Sequence, residues 1–165
     1  MEVNSSATTG PFDVYLADMK YCPEPSKGIE FEFKLQRQSR KNVVISANVT
    51  INVPLDDELD VSVNLAKQTS QGWKENYFIL EVPKACSTMK LYVPAMEQDL
   101  ARQMNLKHCP YPVGNYSLSV PLEINVGVFP VFPYGKYLSK VSVMKKKKRV
   151  FCIHGFVNVV PKKSG

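Results

Sequence analysis

The chain has 165 residues, of which 44% are hydrophobic and 22% are charged, as in an ordinary globular protein of one domain. That composition excludes long disordered stretches, and no apolar run reaches the roughly 18 residues that a membrane-spanning helix needs. The net charge of +6 raises the question of an anionic partner, and the answer depends on how the lysines are distributed along the chain.

The first residues (MEVNSSATTG) are polar and predict a flexible N-terminal tail over residues 1–11. They contain neither a basic n-region nor an apolar h-region, so no signal peptide is visible. Two interpretations stay open: a cytosolic protein, or a mature exported protein that carries an added initiator Met1.

Apolar and polar residues alternate with a period of two along most of the chain, which indicates strands with one buried face. Ile29, Phe31, Phe33 and Leu35, for example, alternate with charged or amide side chains. About eight strands are expected, at residues 12–17, 29–35, 43–53, 59–65, 77–82, 116–126, 137–144 and 150–160.

Only residues 94–106 (PAMEQDLARQMNL) have a helical pattern, with Met96, Leu100 and Met104 recurring every four residues. Pro94 suits a first helical turn. Short alternating strands separated by Pro, Gly and Asp turns predict an antiparallel, immunoglobulin-like β-sandwich or an open β-cup. We expect an all-β protein with at most one short helix: a single domain over residues 12–160 and a short C-terminal tail over 161–165.

The four cysteines are Cys22, Cys86, Cys109 and Cys152. They form no C-x-x-C pair and have no histidine at zinc-ligand spacing, so no metal site is expected. They allow three disulfide pairings, which the spacing does not resolve, and buried free thiols are the alternative. Export is favoured by two glycosylation sequons, which begin at Asn48 and Asn115.

Catalysis is not expected, and no cofactor is implied. The chain has only two histidines, His108 and His154, and a Cys–His nucleophile would need a free thiol beside one of them. No G-x-S-x-G elbow, P-loop or G-x-G-x-x-G motif occurs. The acidic trio Asp56, Asp57 and Glu58 suits a solvated turn better than a catalytic pair.

The positive charge is concentrated in the run KKKKR, which consists of Lys145, Lys146, Lys147, Lys148 and Arg149. Such a run predicts contact with an anionic membrane surface or an acidic partner. The alternative is a solvated hairpin turn whose charges keep a sheet edge from aggregating. No RNA-binding motif accompanies the run, so no nucleic acid is expected.

One segment of the sequence is informative beyond the turn and the strand that it predicts. Residues 109–118 (CPYPVGNYSL) resemble the C-P-x-x-x-G-x-Y-S-L signature of the ML (lipid-recognition) β-sandwich proteins, nearest to the ganglioside activator and insect CheB-type members. The positions of Cys22 and Cys152 and the N-V-T triplet at Asn48 are also similar to that family's pattern.

The resemblance implies that Cys22 pairs with Cys152 and that Cys86 pairs with Cys109. It also implies a cup whose inward side chains line a lipid cavity, whereas alternation alone favours a solid core in which these side chains pack against each other. The expected lining residues are Phe31, Phe33, Val49, Ile51, Val61, Val63, Phe78, Leu80, Leu118, Val120, Val141, Val143, Phe151 and Ile153. Trp73, Phe129, Phe132 and Tyr134 are expected to form an apolar lip at the rim.

The expected function is therefore that of a secreted or lysosomal carrier or presenter of a lipid or glycolipid, with a membrane surface, a receptor or a hydrolase as a further partner. The alternative is a secreted interaction protein with a filled core, which engages a receptor or an anionic glycan through the basic run.

Overall fold

The structure is a computed structural model, which describes residues 8–122 and 129–163. Antiparallel strands dominate it, and two short helices interrupt them. The elements in chain order are β1 (Thr9–Gly10), β2 (Phe12–Tyr21), β3 (Ile29–Arg37), β4 (Val43–Ile51), β5 (Leu59–Thr69), β6 (Gly72–Val82), α1 (Ala85–Tyr92), α2 (Pro94–Gln103), β7 (Gly114–Pro121), β8 (Phe132–Pro133), β9 (Gly135–Lys145) and β10 (Lys148–Pro161).

The strands form a five-stranded sheet of order β2-β10-β9-β5-β6 and a three-stranded sheet of order β3-β4-β7. The short strands β1 and β8 form a separate two-stranded ladder. Every pairing is antiparallel. The expected all-β sandwich is confirmed.

The period-two pattern determines which face of the three-stranded sheet is apolar. Phe31 lies opposite Val49, which lies opposite Tyr116, whereas the next row places Asn48 between Glu32 and Ser117. The ring of Phe31 contacts the ring of Phe151 in the other sheet at 5.0 Å between centroids. The apolar row therefore faces the interior and the polar row faces solvent.

Both disulfides that the family resemblance implied are formed. Cys22 and Cys152 join the end of β2 to β10 with their Cα atoms 5.9 Å apart, and the Cα atoms of Cys86 and Cys109 are 5.7 Å apart. The first bond spans 130 residues of sequence and links the neighbouring strands β2 and β10, while the second ties α1 to the segment after α2.

The sequence predicted one helix at most, whereas the residues that the structure describes form two. Helix α2 lies within the predicted range, but α1 has only eight residues, too few for a periodic pattern to stand out. Tertiary contacts hold it: the carboxylate of Asp57 accepts bonds from the Ser87 amide at 2.8 Å and the Ser87 hydroxyl at 2.6 Å. These bonds keep the pKa of Asp57 below its usual value.

The described residues contain three core clusters. Two of them surround the helices and the basic hairpin, whereas the third lies at the opposite end of the five-stranded sheet, around Phe12, Tyr137 and Val159. No helix in the described ranges is long and apolar enough to cross a membrane.

Candidate functional site

An apolar cavity of about 240 Å³ lies at the end of the five-stranded sheet that is remote from the helices. All five strands of that sheet contribute to it, together with two phenylalanines from the segment before β9. The lining residues are Phe12, Val14, Val63, Leu65, Phe78, Leu80, Phe129, Phe132, Tyr137, Ser139, Val157 and Val159. Only Tyr137 and Ser139 carry a side-chain polar atom.

Strand register explains why these side chains converge. Leu65 lies directly between Phe78 on one side and Ser139 on the other. In the row beyond, Val157 lies opposite Tyr137. Since every second residue of a strand points to the same face, one continuous apolar surface extends across the sheet.

Aromatic rings cover this surface. The ring of Phe78 meets those of Phe129 and Phe132 edge-on, in both cases at 5.8 Å between centroids. Phe132 also contacts Tyr137 at 5.6 Å and Phe12 at 5.7 Å. Edge-on and tilted contacts at these distances are favourable aromatic geometries.

The N-terminal segment fixes this cover in place. Gly10, within the segment expected to be a tail, pairs with Phe132. The Tyr134 hydroxyl donates to the Pro11 carbonyl at 3.0 Å, and a Cβ at Gly10 would overlap that hydroxyl. Any larger residue at position 10 would therefore require the Tyr134 side chain to move.

Three of the predicted cavity residues, Val63, Phe78 and Leu80, line this cavity. The others lie on the strands of both sheets outside its lining, namely Phe31, Phe33, Val49, Ile51, Val61, Leu118, Val120, Val141, Val143, Phe151 and Ile153. Alternation had identified strands and faces, but it could not say where along the strands the interior stays open.

Phe31 and Phe33 belong instead to an aromatic cluster with Tyr21, which is 53% exposed. Phe31 and Phe33 stack at 5.2 Å between centroids, and Tyr21 contacts both rings at 5.7 and 4.9 Å. Phe151 completes the cluster against Phe31. These three predicted lining residues are therefore engaged in ring contacts outside the apolar cavity.

The predicted lip residues divide into two groups. Phe129 and Phe132 line the cavity, and Tyr134 packs in the same core cluster. Trp73 instead contacts Phe156 at 6.2 Å between centroids. Because Phe156 immediately precedes the cavity-lining Val157, it points to the opposite face of the sheet, and Trp73 does not join the others.

The basic run forms the tip of the β9–β10 hairpin. Lys146 and Lys147 adopt left-handed φ values of 48° and 68°, as in a two-residue primed turn. Lys145 pairs with Glu58 at 3.5 Å and Arg149 pairs with Glu24 at 3.0 Å. Tyr137 and Lys146 are nine positions apart along β9 and its turn, which corresponds to about 30 Å, so the hairpin and the cavity lie at opposite ends of the sheet.

A buried carboxylate connects α2 to the CPYP segment. Glu97 is 1% exposed and accepts hydrogen bonds from the Cys109 amide at 3.0 Å and the Tyr111 hydroxyl at 3.2 Å. His108 Nδ1 lies 3.0 Å from its other oxygen. Burial raises the pKa of Glu97, but these hydrogen bonds outweigh it and the net pKa is lowered.

Neither histidine lies beside a free thiol, because all four cysteines are in disulfides. His108 is held by Glu97, and Cys109 is bonded to Cys86. A nitrogen of His154 lies within 4.8 Å of the sulfurs of Cys22 and Cys152. Those sulfurs are bonded to each other, and metal binding requires a thiolate.

No protein-family model and no curated protein sequence matches the chain. Among solved structures, chicken MD-1 complexed with lipid IVa aligns over 89% of this chain and 97% of its own, with a TM-score of 0.39 and 10% identity.

Proposed function

We propose that the protein is a non-catalytic lipid-binding protein, which holds the alkyl chain of an amphiphile in the apolar cavity for transport or presentation. The observation that carries the proposal is the cavity itself. Its lining is almost entirely aliphatic and aromatic, whereas three other clefts among the described residues include charged side chains in their lining. Apolar clefts with few polar groups are the usual form of small-molecule sites.

The size of the cavity suits a single chain. A methylene group is about as large as a water molecule, whose share of liquid volume is about 30 Å³. The 240 Å³ cavity therefore accommodates on the order of eight such groups. At about 0.8 kcal/mol per buried methylene, their transfer from water supplies about 6 kcal/mol before the entropy cost of binding.

We further propose that the protein acts outside the cytosol, as a ganglioside-activator-like protein or a chemosensory carrier. Two disulfides suit an exported protein, since cytosolic thiols are kept reduced. The similarity of residues 109–118 to the ML signature supports the assignment. In that segment Cys109 forms a disulfide and Tyr111 is 1% exposed beside Glu97.

The test is displacement of a fluorescent fatty acid by dodecanoic acid, combined with native mass spectrometry of the purified protein. Ser139 lines the cavity, whereas Ser142, on the same strand, faces the other side of the sheet. We expect Ser139→Phe to fill the cavity and abolish binding, and Ser142→Phe to preserve it. Absence of both co-purifying lipid and fatty-acid binding in the unmodified protein would refute the proposal.

A second candidate function is contact with an anionic surface through the basic hairpin. It is favoured by the turn, where two lysines occupy left-handed positions that normally favour Asn and Gly. Replacing Lys145 to Lys148 by serine should then weaken binding to vesicles of phosphatidylserine and phosphatidylcholine. Unchanged vesicle binding would exclude this function while leaving the cavity proposal intact.

A further inference from the structure

Two lysines face each other at the cavity end of the five-stranded sheet. Lys67 of β5 and Lys74 of β6 are direct cross-strand partners, and Lys67 is also the partner of the cavity-lining Tyr137 on β9. Like charges directly opposite one another destabilise a sheet. An arrangement of this kind is favourable when an anion lies between the two charges.

Both ammonium groups converge on one aromatic ring. The Nζ atoms of Lys67 and Lys74 lie 5.2 and 5.6 Å from the centroid of Tyr77. Lys67 Nζ lies 5.8 Å from the centroid of Tyr137 as well. Both ammonium groups thus lie near Tyr77, and Lys67 also lies near Tyr137, which lines the cavity.

No carboxylate among the described residues forms an ion pair with either lysine. Glu75, although it follows Lys74 in sequence, binds Lys140 at 2.7 Å. Cation–π contact with Tyr77 holds the lysines in place but does not neutralise their charge. Two positive charges therefore remain beside an apolar cavity.

We propose that Lys67 and Lys74 bind the acidic head group of an amphiphile whose alkyl chain occupies the cavity. The ligand class is a single-chain anionic lipid, with a carboxylate or phosphate head. This inference rests on the proposed function, since it assigns the chain to the same cavity. The five charges of the basic hairpin lie about 30 Å away, too far to contact that head group.

The experiment measures binding of dodecanoic acid, dodecyl phosphate, dodecanol and inorganic phosphate to the intact protein by calorimetry. We expect Lys67→Gln with Lys74→Gln to weaken binding of the two acidic lipids by about tenfold or more, because charge-assisted hydrogen bonds are lost. Binding of dodecanol should be unchanged. Lys67→Arg, which keeps the charge, should preserve binding.

Lys20→Gln is the matched control. Lys20 lies over the ring of Phe156 at 5.5 Å, a similar cation–π contact on the opposite face of the same sheet. We expect this variant to bind every probe as the unmodified protein does. Because the double variant removes like-charge repulsion, we expect its thermal midpoint to stay level or rise, so that weaker binding is not a consequence of unfolding.

The possible failures are distinguishable. Equal affinity for dodecanoic acid and dodecanol, with no effect of the lysine variants, would overturn the head-group assignment and leave the cavity function standing. Inorganic phosphate binding as tightly as dodecyl phosphate would assign the lysines to a free anion and overturn the proposal. Failure of all three alkyl probes to bind would refute the cavity function itself.

Discussion

Ser117 donates a hydrogen bond from its Oγ to the Oδ1 of Asn48 at 2.9 Å. The reciprocal bond runs from the Oγ1 of Thr50 to the Oδ1 of Asn115, also at 2.9 Å. The two sequons thus lie in register on neighbouring strands, and the hydroxyl residue of each bonds the asparagine of the other. Both lie on the outer face of the three-stranded sheet.

Glycosylation at Asn48 and Asn115 stays a prediction. The position of both residues on the outer face of the three-stranded sheet indicates how glycosylation would affect lipid binding. Since neither residue lies near the cavity lining, we expect Asn48→Gln with Asn115→Gln to leave fatty-acid affinity unchanged. Mass spectrometry of protein from a eukaryotic secretory host would measure occupancy, and fluorescent fatty-acid titration would measure binding. A large loss of affinity in the variant would contradict this placement of the sequons.

The buried carboxylate should be important for stability. Glu97→Gln keeps the shape of the side chain but loses the charge that its three partners stabilise. We expect a loss of about 1–3 kcal/mol in the free energy of unfolding, measured with urea. Glu58→Gln is the control, because Glu58 is 64% exposed in its pair with Lys145, and it should change stability by less than about 0.5 kcal/mol.

The same residue predicts a pH dependence. The pKa of Glu97 is lower in the folded protein than its usual 4.5, so its contribution is present above that value and is lost as pH falls through the folded pKa. We therefore expect the stability difference between the unmodified protein and Glu97→Gln to shrink below about pH 4.5. A difference that stays constant in urea titrations across that range would contradict the assignment.

The two disulfides should differ in their contributions. Loop closure over 130 residues for Cys22–Cys152 and 23 residues for Cys86–Cys109 corresponds to about 5 and about 3 kcal/mol in the chain-entropy model. Paired Cys→Ser variants, compared by urea unfolding, should show the larger loss for the first bond. The reverse order would indicate that local packing around α1 outweighs loop length.

Substitutions at the hairpin tip can separate the effect of its positive charge on membrane binding from the effect of its turn geometry on stability. Lys146→Asn with Lys147→Gly installs the residues that a primed turn favours, so we expect the protein to become more stable by about 1 kcal/mol. Binding to phosphatidylserine vesicles should weaken at the same time, since two positive charges are removed. Increased stability together with unchanged vesicle binding would indicate that these two lysines do not contribute to membrane binding.

The sequence by itself determined the class of fold, because period-two alternation assigns a buried and an exposed face to each strand. Val63 and Leu80 illustrate this, since their inward direction could be predicted without knowing their neighbours. The disulfide pairing, by contrast, came from the similarity to the ML signature, since four cysteines alone leave three possibilities.

Only the tertiary structure decided where the interior is empty. Phe31 and Val63 have the same pattern in sequence, yet Phe31 is packed against Phe151 while Val63 lines the cavity. Alternation specifies the direction of a side chain, whereas a cavity depends on the space between that side chain and whatever lies opposite. Strand register, which is set by long-range pairing, decided two further features. Trp73 lies apart from Phe132, although both were predicted to form the lip. Lys67 and Lys74, which belong to different strands, lie beside the same ring, that of Tyr77.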